Sequence, residues 1–438
     1  MNLRTLVTCS TLLFAANAAG ETIAIVGADI HTLAAEGSVR GGTLLIIDGV
    51  VTALGPNIAV PDGAEVIDAD GLTVTPGLVD VAGTLGVEEV SLEESTVDFQ
   101  RPAGGPAVAF SLTAAVNPAS TLIAIARTEG VTHAVVAPAP PPSLHTMTPR
   151  ASPFAGQATL IQLGTEVGFV LDEDAAVFVE LGELGSNVVG GSRAAALANV
   201  DAAFALAAEH QADIARGGDG VSFEQLDEIG LDRADLAVLN AVRAGDLPLV
   251  IGANRASDLR QVIELALRHG VRAAVRGGAE AWRVADELAA AAIPVIVYPT
   301  ENLPSRFESL DATLANAARL SEAGVTVIIG ERSSHNVGNL RQGAGNAVAS
   351  GLPWIEGLAA ITAAPAALVS DDGTLGRIVA GEPASLVVWD GDPLDVGSFA
   401  QHVFIEGHRI PGVSRQTLLR DRYHPDQPTG SRAIYRRP

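Results

Sequence analysis

The chain has 438 residues, 18% charged and 48% hydrophobic, with 51 acidic against 27 basic side chains and a formal net charge of −24. All 27 are arginine and lysine is absent, so Schiff-base chemistry and a carbamylated-lysine metal bridge are excluded. Phosphate affinity rests on clustered Lys and Arg, and the acid excess argues against nucleic acid as a partner. The length suits two or three ordinary domains, or one large α/β barrel with an accessory domain.

Residues 1–18 read as a secretory signal peptide. Arg4 precedes an apolar run from Leu6 to Ala16, and Ala16, Asn17, Ala18 and Ala19 supply a small-residue cleavage region. The alternative is a buried N-terminal helix. Cleavage near Ala18 would remove Cys9, the single cysteine, and with it any disulfide or thiolate zinc site. No later segment reaches the roughly 18 uninterrupted apolar residues of a membrane span. A periplasmic or secreted protein with no membrane span is expected.

Residues 19–75 alternate short β runs with turn residues: 22–26, 43–47, 50–54 and 65–67. Asp48-Gly49 between two apolar runs predicts a tight hairpin, because such a turn needs positive φ. After Pro76 an amphipathic helix, a glycine and an apolar strand recur. Helices are predicted over 120–129, 257–269, 280–292 and 308–323, each leading into a strand. In the second, Leu259, Val262, Ile263 and Ala266 share one face, with Ser257 as N-cap and Gly270 as stop. Residues 192–246 read as barrel helices with an inserted excursion broken at Gly217-Gly218-Asp219-Gly220. This rhythm over 76–371 predicts a (β/α)8 TIM-like barrel, since no glycine-rich dinucleotide fingerprint follows the first strand. The β pattern returns in 372–412, and 413–438 reads as an arginine-bearing, extended surface tail.

Two β blocks flanking a barrel resemble the amidohydrolase superfamily, whose members build a small β-sandwich composite domain from the two chain ends. The residues that carry the likeness are Asp48-Gly49, Ile67-Asp68-Ala69-Asp70-Gly71, Val74-Thr75-Pro76-Gly77-Leu78-Val79-Asp80 and Ala384-Ser385-Leu386-Val387-Val388-Trp389-Asp390-Gly391-Asp392-Pro393. Gly345-Asn346-Ala347-Val348-Ala349 and Ile361-Thr362-Ala363-Ala364-Pro365-Ala366 are similar to the segment that follows the eighth strand. The chain is most similar to the imidazolonepropionase-related, exported group. The resemblance implies a hydrolase of non-peptide carbon-nitrogen bonds, with zinc or another divalent metal in the barrel mouth.

The residues at the positions where the family carries its ligands differ. His-x-His after the first strand corresponds to Ala82, Gly83 and Thr84, and the fifth-strand histidine to Gly252. The sixth-strand histidine falls within Gly277-Gly278-Ala279-Glu280, and the eighth-strand aspartate within Gly330-Glu331-Arg332-Ser333. Zinc needs three or four N, S or carboxylate ligands, so no metal cofactor is expected. Without it no strong nucleophile forms at neutral pH.

The remaining catalytic candidates are Glu89, Glu331 and His335, and the substrate-binding candidates are Asn254, Arg255, Glu280 and Asn336, all placed at strand ends by topology. A salt bridge of Glu89 or Glu94 with Arg255 or Arg332 would fill the vacated metal site. Two functions stand open. One is a metal-free pseudoenzyme that binds a small molecule, forms a homo-oligomer or partners an active paralogue. The other is an active hydrolase of an amide or cyclic amide through an atypical site.

Overall fold

The computed structural model describes residues 21–102, 104–141, 152–164, 168–301 and 303–423. The expected signal peptide and the end of the arginine-bearing tail lie outside the described residues. Strands β1 (Thr22–His31), β2 (Ser38–Ile47) and β3 (Val50–Gly55) form an antiparallel meander. Asp48 and Gly49 turn the β2–β3 hairpin at φ 52° and 80°, with Ile47 opposite Val50, the geometry that a two-residue turn requires. Strands β4 (Glu65–Asp68) and β5 (Thr73–Pro76) pair in parallel with successive halves of β1.

At Gly77 the chain leaves this sheet for the barrel, whose strands are β6 (Leu78–Gly83), β7 (Val131–Val136), β8 (Phe154–Gln162), β9 (Val170–Glu180), β10 (Leu249–Ala253), β11 (Ala273–Gly277), β12 (Val295–Val297) and β13 (Val327–Ile329). Helix α1 (Thr121–Thr128) precedes β7 and is capped by the Ser120 hydroxyl. Between β9 and β10 lie α2 (Glu183–Val188), α3 (Arg193–Ala215), α4 (Phe223–Glu228) and α5 (Arg233–Ala244). Helices α6 (Ala256–His269), α7 (Ala285–Ala290) and α8 (Asn316–Glu322) separate the later strands.

The strict β/α repeat is corrected at β8. It runs antiparallel to both β7 and β9, so three successive strands form a meander inside an otherwise parallel barrel. All nine positions of β8 are buried, which removes the alternation that marks a half-buried strand. The barrel interior is filled by Val81, Val135, Phe178, Val250, Ala274, Ile296 and Ile328.

After β13 come α9 (Asn339–Ala349), α10 (Trp354–Ala359) and α11 (Ala363–Val369). The turn between the last two closes the barrel seam: Ile329 N–H donates to the Ala360 carbonyl and Val79 N–H to that of Ile361, both at 2.9 Å.

The chain then returns to the first sheet as β14 (Leu386–Trp389), β15 (Ala400–Ile405) and β16 (His408–Ile410). Strand β14 pairs antiparallel with β5, so strands from both chain ends form one hydrogen-bonded sheet of eight. Ile23, Ile25, Leu44, Leu386 and Val388 pack on one face; Val387, Trp389, Val403 and Ile405 pack on the barrel side. Burial on both faces explains the uninterrupted apolar run of β14. Trp389 is wholly buried, bonded through Nε1 to Thr75 Oγ1 at 2.9 Å. Its ring fills the space where a side chain at Gly130 (φ 82°) would stand.

The tail differs from the extended segment expected. Residues Arg415–Tyr423 form helix α12, nucleated by a reciprocal pair in which Ser414 N–H donates to Thr417 Oγ1 and Thr417 N–H to Ser414 Oγ. Among the described residues no helix is long and apolar enough to cross a membrane.

Candidate functional site

The C-terminal ends of the barrel strands form the mouth, where such barrels carry their functional loops. Strand register sets Glu180, Gly252 and Arg276 side by side on β9, β10 and β11. They follow Phe178, Val250 and Ala274 by two residues, so they share the inward face. The Arg276 guanidinium bonds the Glu180 carboxylate across Gly252 and lies 5.7 Å from the Phe178 ring centre. A Cβ at Gly252 would collide with that carboxylate. Burial opposes the Arg276 charge, but the Glu180 carboxylate outweighs it and holds its pKa above the ordinary value.

Tyr298, just beyond β12, packs in the same layer. Its hydroxyl is buried without a hydrogen-bond partner, and burial pushes its pKa up, so it stays a proton donor. The Arg332 guanidinium stacks over its ring at 4.0 Å and bonds Glu301 Oε2 through Nε at 2.8 Å.

At the β6 end, Ala82 takes a left-handed φ of 62°. Thr84 N–H donates to Ser334 Oγ at 2.9 Å, while its hydroxyl donates to Glu88 Oε2 at 2.5 Å and lies 2.8 Å from Ser334 Oγ. Since the Thr84 proton goes to Glu88, Ser334 donates to Thr84. This buried chain latches the β6 end to the loop after β13. Asp80 is 1% exposed and its Oδ1 has no partner. Burial, then the nearby Glu331, push its pKa up to about 7.

The expected candidates are scattered rather than assembled. Glu89 bonds Asn117 and Thr121 at the start of α1. Glu331 is half-buried, accepts the backbone N–H groups of Arg332 and Ser333, and is pushed up chiefly by burial. His335 and Asn336 are exposed. Arg255 is tied to Asp258 beside the first turn of α6. Glu280 Oε2 accepts Ala256 N–H at 3.0 Å and so serves the same helix. The filling salt bridge therefore differs from the one expected: Arg255 holds Asp258, Arg332 holds Glu301, and Arg276 with Glu180 occupies the centre.

Asn254 alone joins a larger arrangement. Its Nδ2 donates to Glu308 Oε1 at 2.9 Å, while Glu308 Oε2 accepts Glu183 N–H at 2.8 Å and an Arg193 nitrogen at 3.3 Å. This carboxylate is 3% exposed and ties the loop after β12 to those after β9 and β10. Asn254, Tyr298, Arg306, Glu308 and Arg332 line a cavity of about 360 Å³ at the mouth. Glu180, Arg276, Tyr298, Arg306 and Glu308 were missed in the sequence, where only their nearness to strand ends could have signalled them.

This donor set does not fit a divalent metal. Among the described residues no three His, Cys, Asp or Glu side chains converge, and a guanidinium occupies the centre of the mouth, where a dication would be repelled.

A mostly parallel barrel joined to a sheet built from both chain ends defines the amidohydrolase-type architecture. Residues 197–411 match the amidohydrolase family. It is similar in structure to an amidohydrolase from Thermotoga maritima MSB8, with 24% identity and a TM-score of 0.74 over 89% of this chain and 99% of that one. Phenylurea hydrolase B is similar at 16% identity and a TM-score of 0.53, over 90% of this chain and 97% of its own. These likenesses establish the fold. In sequence, the amidohydrolase tasK of Hapsidospora irregularis is 32% identical over 115 residues, 26% of this chain and 12% of tasK. The dihydroorotase of Citrifermentans bemidjiense is 58% identical over 38 residues, 9% of each chain. The matched stretches thus span about a tenth of these curated relatives.

Proposed function

We propose that this chain is an amidohydrolase-family barrel in which metal-dependent hydrolysis of carbon-nitrogen bonds has been lost, and that it serves as a metal-free binding or partner subunit. The observation that carries this is the Glu180–Arg276 pair across Gly252. Metal-assisted hydrolysis needs a cation that lowers the pKa of a bound water. Here the positive charge is a guanidinium, which has no open coordination position and cannot generate hydroxide. Three carboxylates around it are already engaged: Glu180 by Arg276, Glu88 by Thr84, and Glu308 by three donors. Hydrolysis through His335 gains no support, since that side chain is exposed outside this layer.

The same proposal places the chain in the imidazolonepropionase-related group and, through residues 1–18, in the periplasm or outside the cell. Its partners would be a small molecule, a second copy or an active paralogue. Purified protein dialysed against zinc and then against buffer should contain substoichiometric metal by elemental analysis. Zinc retained at one equivalent per chain would overturn the proposal, and recovery of the intact chain in the cytosolic fraction would overturn the localisation.

A further inference from the structure

We propose that the cavity at the ends of β10, β11 and β12 binds a small carboxylate with an apolar body, which deepens, and rests on, the binding-subunit function above. The volume of about 360 Å³ falls in the range of small-molecule sites, and its unmet polar groups are mainly donors. Of the carboxylates on its wall, Glu308 is buried and committed to Asn254, Glu183 and Arg193. Glu301 is committed to Arg332.

The cations are less fully used. Arg306 is exposed and makes no ion pair among the described residues. Arg332 reaches Glu301 only through Nε, so its terminal nitrogens keep a fork of N–H groups, the geometry that matches a carboxylate. Tyr298 adds a buried hydroxyl without a partner on the same wall.

Part of the remaining wall is apolar. Leu303 and Leu314 line the cavity while 72% and 54% exposed, and Val297 forms part of its inner surface. An anionic head between Arg306 and Arg332 would leave a hydrocarbon or aromatic body against these leucines and remove them from water. A cationic ligand would face two guanidinium groups with no free carboxylate.

The test is titration of the full chain at pH 7 with 3-phenylpropanoate, its neutral amide and 3-phenylpropylammonium, followed by ligand-observed NMR. The acid should bind saturably, with affinity falling as salt rises, and the amide should bind about tenfold more weakly. Arg306→Gln and Arg332→Gln change exposed side chains and should each weaken the acid by about tenfold while leaving the amide unchanged. Equal affinity for acid and amide, unchanged acid binding in both variants, or no saturable acid binding would overturn the proposal. Metal content measured on the same samples separates the two inferences. Acid binding with retained zinc keeps this site and removes the metal-free function; metal-free protein without carboxylate preference does the reverse.

Discussion

Replacing Arg276 by methionine tests whether the central ion pair holds the mouth together. The Glu180 and Arg276 side chains are 9% and 15% exposed, so removing the cation leaves a carboxylate in a place that water barely reaches. Breaking a buried pair from one side costs about 3–5 kcal/mol, whereas replacing both partners by apolar groups of similar volume is near neutral or stabilising. Arg276→Met should therefore lose about 3–5 kcal/mol in urea unfolding followed by far-UV circular dichroism, at pH 7 and unchanged slope. Glu180→Met/Arg276→Met should recover most of that loss, because methionine stands on the stems of both side chains and β10 offers only Gly252 between them. The double variant would then be the more stable although it lacks two charges. A loss under about 1 kcal/mol in the single variant, or a double variant as unstable as the single, would refute a buried, coupled pair.

The remaining expectations follow from individual buried groups. Asp80, with its pKa raised to about 7, keeps its proton in the folded state while the unfolded chain loses it near pH 4. Its contribution to stability should fall by about 1.4 kcal/mol per pH unit from roughly pH 4 to 7 and then level off. Asp80→Asn should flatten that slope in urea unfolding across the range; parallel pH profiles for the two proteins would show that Asp80 ionises normally. Asp235, wholly buried, accepts N–H bonds from Ala107, Val108, Ala109 and Asp232. Asp235→Asn turns an amide group toward those donors and should cost about 3 kcal/mol, with hydrogen exchange accelerating first at residues 107–109; unchanged protection there would contradict the assignment. Ser334→Ala removes the link between Thr84 and the loop after β13 and should cost about 1–3 kcal/mol, read as a lower urea midpoint.

What could be read in the sequence was what local chemistry decides. The Asp48-Gly49 hairpin and the Gly270 stop of α6 depend on neighbours within a few residues, and each stands where expected. Helix α6 shows where this ends. Its N-cap is Arg255 instead of Ser257, because Glu280, from the loop after the next strand, satisfies the Ala256 N–H. No local pattern announces a cap supplied from 24 residues away. The same limit hid the β8 reversal, since a strand buried throughout has no period of its own, and it hid Glu308, whose partners come from the connections after β9 and β10. At the mouth, the expected candidates were chosen for lying after strands, whereas Glu180 and Arg276 are the last inward-facing side chains of β9 and β11. Their meeting depends on the register that sets both beside Gly252.

That register also links two features that look independent along the chain. Gly252 stands where the family resemblance places a metal ligand, and Glu180 uses the space that a side chain there would take. A histidine restored at this position alone would displace the Glu180 carboxylate from Arg276 and meet a guanidinium instead of a metal. Gly252→His should therefore lower the urea midpoint and show no zinc-dependent rise in thermal stability, since a single imidazole cannot assemble the three or four ligands that zinc requires. Ligand binding to the folded state must raise the midpoint in proportion to RT ln(1 + [L]/Kd), so a zinc-dependent rise in Gly252→His would mean that the ion pair yields to the metal. The mouth would then be a hydrolase centre lacking one ligand, and Arg276 a bystander. If the midpoint falls and zinc changes nothing, the Glu180–Arg276 pair keeps this position closed to a metal even when an imidazole is supplied there.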